Sequence, residues 1–166
     1  MKKILPLSLL IFFLVAPSGS SFAQGMMQVR LKTVDGDYSS INDLKGSSLT
    51  VVDFWATWCK PCMKSIPKLV KLSHEFDENE VAFVGINADS PRNISKVRPL
   101  AKSLRIDYPV LMDTNQDLYN ELQVLALPTL IILDSDGKIL FSHEGYTPGD
   151  EKKFKMKIEE FLSNEN

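Results

Sequence analysis

Residues Leu49–Pro67, LTVVDFWATWCKPCMKSIP, read as a buried strand running into a helix across a pair of cysteines. Leu49 to Trp55 is β-branched and almost wholly apolar, the composition of a central strand covered on both faces. From about Pro61 to Phe76 the residues Ile66, Leu69, Val70 and Phe76 fall on one helical stripe. Pro61 is tolerated in the first turn, where its missing N–H is not needed. Pro67 lies further in and is expected to kink the helix. Cys59 and Cys62, the two cysteines of the chain, thus stand at a strand-to-helix junction.

Three uses are open to such a pair. A structural crosslink stabilises mainly by restricting the unfolded chain, and the gain grows with loop length; a loop with only Lys60 and Pro61 inside it restricts almost nothing. A zinc or copper site, as in a metal-binding or copper-delivery module, needs three or four ligands. No further cysteine exists, and His74 and His143 are far from the pair in sequence and read as surface residues. The third use is a redox dithiol. Unsatisfied backbone N–H groups and the helix dipole favour an anion at a helix start, and the thiolate is the attacking species in disulfide exchange. Cys59 is therefore the expected nucleophile. Cys62, one turn further in and better buried, can resolve a mixed disulfide by attacking the Cys59 sulfur. Lys60 reads as solvated; even at about 5–6 Å from the thiolate it would contribute only about 0.7 kcal/mol in a water-like dielectric.

Working outward, the first residues set the compartment. Lys2 and Lys3 precede an apolar run, Ile4 to Val15, broken by Pro6 and Ser8. Ser21 and Ala23 occupy the small-residue positions of a cleavage site after Ala23, completing the layout of a secretory signal peptide over residues 1–23. The run is about 12 residues, short of the roughly 20 of a membrane-spanning helix; a retained anchor is the alternative. The expected location is outside the cytoplasmic membrane, in the periplasm or on the membrane's outer face. Residues 24–166 then form one domain. The formal net charge of −2 gives no reason to expect nucleic acid as a partner. The 44% apolar content is that of an ordinary globular domain.

Before the central strand, QVRLKTVDGDYSS suggests two short strands around an Asp35-Gly36 turn, and SINDLKG a single helical turn ended by Gly46. After the helix, Val81 to Ala88 reads as a second buried strand. SPRNISKVRPLAKSLRI reads as a helical connector interrupted by Pro99, YPVLMD as a short extended piece, and Gln116 to Leu122 as a short helix. Thr129 to Leu133 and Lys138 to His143 pair as a hairpin about Asp134–Gly137, and Glu151 to Leu162 closes the chain as an amphipathic helix with Phe154, Ile158 and Phe161 inward. These elements describe an α/β protein with a central mixed sheet and helices on both faces.

VVDFWATWCKPC, with LPT at Leu127–Thr129, resembles the thioredoxin superfamily, and within it the exported TlpA/ResA-like thiol–disulfide oxidoreductases. The likeness extends over residues 24–166: the leading DGDYSSINDLKG, the insert around Ala88 to Leu122, the LPTLIILDSDGKI hairpin and Gly145. It implies a thioredoxin fold with an N-terminal β-hairpin extension and a central insert. It further implies that Cys59 is the nucleophile, and that Pro128 is cis and lies against the dithiol. A cis Pro128 would expose the Leu127 backbone to a partner strand by β-augmentation. Trp58, Pro61, Leu127 and Pro128 are therefore the candidate substrate-binding residues, with Trp55 in the core.

Asp53 is the remaining candidate catalytic residue. A carboxylate inside a buried apolar strand is costly and should titrate high. It matches the buried aspartate of classical thioredoxins, a proton acceptor for the second cysteine; the bland alternative is a hydrogen-bonded structural Asp. Ser65 stands where the ResA type has a functional glutamate. The function expected is protein-disulfide reduction, with the Cys59–Cys62 disulfide in place of a cofactor and no metal. The partners implied are cysteine-containing exported proteins, apocytochrome c among them, and a membrane electron donor. A thiol peroxidase fits the Trp-Cys-x-Pro-Cys arrangement poorly.

Overall fold

The computed structural model describes residues 25–164, so the signal segment and its cleavage site lie outside the described residues. The central strand β3 is Leu49–Trp55, every residue of it buried. It is parallel to β4 (Val81–Asn87) along its whole length, Leu49 facing Val81 and Trp55 facing Asn87. On its other edge it is antiparallel to β6 (Thr129–Asp134). The expected leading hairpin forms as β1 (Leu31–Thr33) and β2 (Tyr38–Ser39) around the turn at Gly36, whose φ of 111° few other residues adopt. β1 is antiparallel to β5 (Val110–Met112), which is parallel to β4. β7 (Ile139–Glu144) completes the C-terminal hairpin, with a register shift at Ile132/Leu133. The seven strands run in the order β2-β1-β5-β4-β3-β6-β7.

The alternation of side chains along β3 divides the core. Val52 and Phe54 face one side, with Val84, Ile86, Ile131 and Leu133. That side is covered by α1 (Ile41–Leu44), α4 (Asp117–Glu121) and the helical turn at residues 25–27, through Ile41, Leu118, Met26 and Met27. Leu49, Val51 and Trp55 face the other side. There α2 (Cys62–Ser73) contributes Ile66, Leu69 and Leu72, α3 (Ile94–Ser103) contributes Val97 and Ala101, and α5 (Asp150–Asn164) contributes Phe154 and Ile158. Helices on both faces of a mixed sheet match the expectation.

Three local expectations are corrected. α3 runs through Pro99 without interruption. The proline forgoes the hydrogen bond to the carbonyl four residues back, but Val97 and Ala101, both buried, hold the turns on either side of it against the sheet. α1 does not end in a left-handed glycine: its C-cap is Lys45, in extended conformation. Its start is fixed by a capping box in which the Asp43 N–H donates to Ser40 Oγ at 3.2 Å and the Ser40 N–H donates to Asp43 Oδ2 at 3.0 Å. Nor is His143 a simple surface residue. It is half-buried, stacked parallel to Phe141 with centroids 6.3 Å apart, and 3.1 Å from Asp150 Oδ2.

Gly46 is required for a different reason from the one its position suggests. A Cβ at this residue would lie 2.4 Å from the Leu49 carbonyl oxygen, 2.5 Å from that of Glu80 and 2.7 Å from the Ala82 nitrogen. All three are backbone atoms at the edge where β3 and β4 begin, so a methyl group there must push the strands apart. Gly46→Ala is expected to destabilise the fold by about 1–3 kcal/mol, the usual cost of overpacking. The denaturant midpoint should fall at unchanged slope; an unshifted midpoint would show that the strand starts yield freely.

Candidate redox site

β3 ends at Trp55 and the chain turns through Ala56–Pro61 before α2 begins at Cys62. Cys59 and Cys62 are joined by a disulfide with Cα atoms 5.3 Å apart. The Cys62 N–H, one of the free donors of the helix start, donates to Cys59 Sγ at 3.2 Å. That is the interaction expected to favour a Cys59 thiolate, although the helix itself begins three residues after Cys59. Cys62 is wholly buried and Cys59 only 3% exposed, so the order of exposure is as expected and the difference small.

The turn is tied down by a residue that sequence reasoning missed. Asp89, fully buried just past the end of β4, accepts from the Thr57 N–H at 2.7 Å, the Thr57 hydroxyl at 2.8 Å and the Asn87 side-chain amide at 2.9 Å. The Ala88 N–H also donates to the Trp55 carbonyl at 2.9 Å. Asp89 therefore fixes the loop that presents Trp58 and Cys59. Its only signal in the sequence is a charged residue directly after an apolar run.

The other candidate residues converge on the pair from two sides. Pro61 is exposed and is the N-cap residue of α2, and Trp58 is 62% exposed beside Cys59 in sequence. The Leu127–Pro128 peptide bond is cis. Leu127 packs against the cluster that contains both cysteines, and Pro128 is buried at the head of β6. This corner is pinned by the Thr129 hydroxyl, which donates to the Ala126 carbonyl at 2.6 Å, and by the Gly145 N–H, which donates to the Pro128 carbonyl at 2.7 Å. Leu125, 81% exposed two residues before Leu127, adds an apolar side chain that the sequence did not single out.

Asp53 lies in the middle of β3, on the face that α2 covers, two residues from Trp55. Trp55 itself packs in one cluster with Cys59 and Cys62. Asp53 is 2% exposed, and neither of its carboxylate oxygens has a hydrogen-bond partner among the described residues. Burial without compensation pushes its carboxyl up to about 7, so it exchanges a proton near neutral pH. Ser65 is buried in α2, with its hydroxyl donating to the Cys62 carbonyl at 3.2 Å.

His74 is exposed and pairs with Asp107 at 2.6 Å, and His143 pairs with Asp150. Among the described residues no group of three or more His, Cys, Asp or Glu is clustered so as to hold a metal ion.

The sequence matches the AhpC/TSA family over residues 23–142. It is 35% identical over 130 residues to the thioredoxin-like protein YneN of Bacillus subtilis, a match covering 78% of this chain and 75% of that protein. It is 30% identical over 129 residues to the thiol-disulfide oxidoreductase ResA of Bacillus cereus, covering 78% of this chain and 69% of the relative. Among solved structures, a putative thiol:disulfide interchange protein DsbE from Chlorobium tepidum superposes with a TM-score of 0.73 at 25% identity, over 81% of this chain and 92% of that one. StoA of Bacillus subtilis superposes with a TM-score of 0.65 at 26% identity, over 78% and 95%. With a thioredoxin-like sheet, a CxxC disulfide at the strand–helix junction and these relatives, the chain belongs to the AhpC/TSA family and is a thiol–disulfide oxidoreductase.

Proposed function

We propose that the protein is exported and reduces disulfides of exported proteins through Cys59 and Cys62, with Asp53 as the proton acceptor of the second step. The observation that carries this reading is the unpartnered Asp53 carboxyl, buried on the same face as the cysteine pair and holding its proton up to about pH 7. In the first step the Cys59 thiolate attacks one sulfur of a target disulfide. An S–S bond forms between Cys59 and the target, and the target's other cysteine leaves as a thiolate. In the second, Cys62 gives its proton to ionised Asp53 and attacks Cys59 Sγ. The Cys59–Cys62 disulfide forms and the second target thiolate leaves. Two electrons pass to the target, and the protein must be reduced again by a dithiol of a membrane electron donor.

Trp58, Pro61, Leu127 and Pro128 form the docking edge for a target segment. An extended target strand pairs with the Leu127 backbone while its cysteine meets Cys59. Apocytochrome c, whose cysteines must be thiols for haem attachment, is a substrate of this class.

The direct test is capture. A Cys62→Ser variant cannot complete the second step, so it should accumulate mixed disulfides with exported cysteine proteins through Cys59. If the reciprocal Cys59→Ser variant accumulates them instead, the two roles are reversed.

Asp53→Asn should slow the second step more than the first, by about 10²–10⁴-fold and at the low end of that range, because thiols ionise appreciably unaided. The wild-type rate should rise through about pH 7 with the ionisation of Asp53, and that inflection should vanish in the variant. Stability carries the same signature. Because the folded carboxyl titrates above its unfolded value of 3.8, the native state binds the extra proton between these limits. The oxidised wild type should therefore lose stability as pH rises from 4 to 7, by about 4 kcal/mol, and then level off. Asp53→Asn should lack this loss. Parallel pH–stability curves would leave Asp53 without an abnormal titration.

The direction of electron flow follows from magnitudes. The span from an oxidant at about −120 mV to thioredoxin near −270 mV is about 150 mV, or about 7 kcal/mol of thiolate stabilisation. Lys60 supplies about a tenth of that, no histidine lies between the cysteines, and an ionised Asp53 opposes a second negative charge. The couple should lie below about −200 mV. Equilibration with glutathione measures it, and a potential near −120 mV would make the protein a disulfide donor instead.

A further inference from the structure

Besides Asp53, two buried polar groups have no hydrogen-bond partner among the described residues: the Trp55 indole N–H and the Tyr108 hydroxyl. They are not scattered. Asp53 and Trp55 project from the same face of β3, and the residue opposite Asp53 on β4 is Gly85. A Cβ at Gly85 would lie 3.3 Å from each of Trp55 Nε1, Tyr108 Cε2 and Val110 Cγ2. The indole N–H and the tyrosine ring therefore close on the space beside Asp53 that the absent side chain leaves open.

The orientation of Tyr108 is the unusual feature. It stands just before β5, half-buried, and walls two surface clefts together with Asp107. An amphipathic side chain at such a site ordinarily keeps its polar tip in water and buries its body. Here the hydroxyl is the buried end. Burial first, and then the negative charges of Asp53 and Asp107, hold the phenol well above its usual range, so Tyr108 remains a protonated donor. Two donors without acceptors thus stand about Gly85, opposite an acceptor without donors, an arrangement too costly to leave unmet.

We propose that Tyr108 is a positioning residue for the redox reaction: its hydroxyl, together with the Trp55 indole N–H, acts on the ionised Asp53 carboxylate through one water shared by the three groups. Three polar partners are enough to hold such a water. The inference rests on the reading of Asp53 as proton acceptor. Its chemistry is simple. Burial favours neutral Asp53, which cannot take the Cys62 proton, and donors that bond the charged form work against it and raise the ionised fraction at neutral pH. Few other charges compete. β4 and β6 present Gly85 and Leu130 opposite Asp53, α2 brings Cys62 with its partner Cys59, and the segment before β5 brings Tyr108 and Asp107, the latter paired with His74.

The test is Tyr108→Phe, which removes the hydroxyl and keeps the ring, read through the ¹³C chemical shift of the Asp53 carboxyl in the oxidised protein. The resonance is assigned by its loss in Asp53→Asn. The titration midpoint should rise by about one pH unit, and Trp55→Phe should move it in the same direction. Resolution of the mixed disulfide at pH 7 should slow about fivefold, as the ionised fraction falls, and recover the wild-type rate above about pH 9. In an Asp53→Asn background Tyr108→Phe should have no further effect on the rate. An unmoved Asp53 midpoint in Tyr108→Phe overturns the proposal, and so does an undiminished rate effect in the Asp53→Asn background, which would mark Tyr108 as structural. If the midpoint moves but Asp53→Asn alone resolves at the wild-type rate, the acceptor reading falls and with it the role of Tyr108 in the reaction, while the contact stands.

Discussion

A strand paired along both edges and covered on both faces cannot shift without moving the whole sheet, and β3 is such a strand. Its seven residues are in register with β4 on one side, and six of them with β6 on the other. Everything at the site is placed relative to its end. The turn after Trp55 carries Cys59, α2 begins at Cys62, and β6 starts directly after the cis Leu127–Pro128 bond. Because β3 and β6 are antiparallel, the last residues of the one lie beside the first of the other, Phe54 facing Thr129. Two segments more than 60 residues apart in the chain are thus brought to one corner by backbone pairing.

The same strand explains what could be read from the sequence. Leu49–Trp55 is an uninterrupted apolar run except for Thr50 and Asp53, so its burial, and the oddity of Asp53, are visible residue by residue. The cysteine spacing, the leading turn at Gly36 and the final hairpin are equally local signals. Pro99 misled because a rule about backbone hydrogen bonds is also local, whereas α3 is held by the burial of Val97 and Ala101 against other elements. Asp89 and Tyr108 were illegible for a related reason. Their surroundings depend on β4 lying beside β3 and β5 beside β4 in a particular register, and neither NADSP nor DYPV carries that information.

Comparison of the buried carboxylates shows why one of them is suited to chemistry. Asp89 accepts from three donors and Asp113 from the N–H groups of Asp117 and Tyr119, each at 2.8 Å. Both hold a loop at the end of a strand, and their charge is met by fixed dipoles that exist only in the folded chain. For Asp113 burial outweighs these bonds and still raises the carboxyl above its ordinary value. Asp53 differs in having no donor fixed to it by main-chain geometry, since β3 spends its backbone N–H groups on the sheet ladder. Burial pushes its carboxyl up to about 7, near neutrality, where a proton can be taken up and released.

That position has a consequence for how charge moves through the site. Reduction of the disulfide makes two sulfurs that require protons or carry charge, in a region where Cys59 is 3% exposed and Cys62 not at all. A thiolate on Cys59 is met by the Cys62 N–H at the helix start. A second thiolate at Cys62 would lie on the same buried side of the sheet as an ionised Asp53, where low dielectric strengthens their repulsion. The two charges therefore exclude each other. On the proposed mechanism Cys62 keeps its proton while Asp53 is ionised, and when Cys62 attacks, Asp53 takes that proton and becomes neutral. In that proposal the proton passes between two buried groups, and the resolving step needs no bulk water between the cysteines and the sheet.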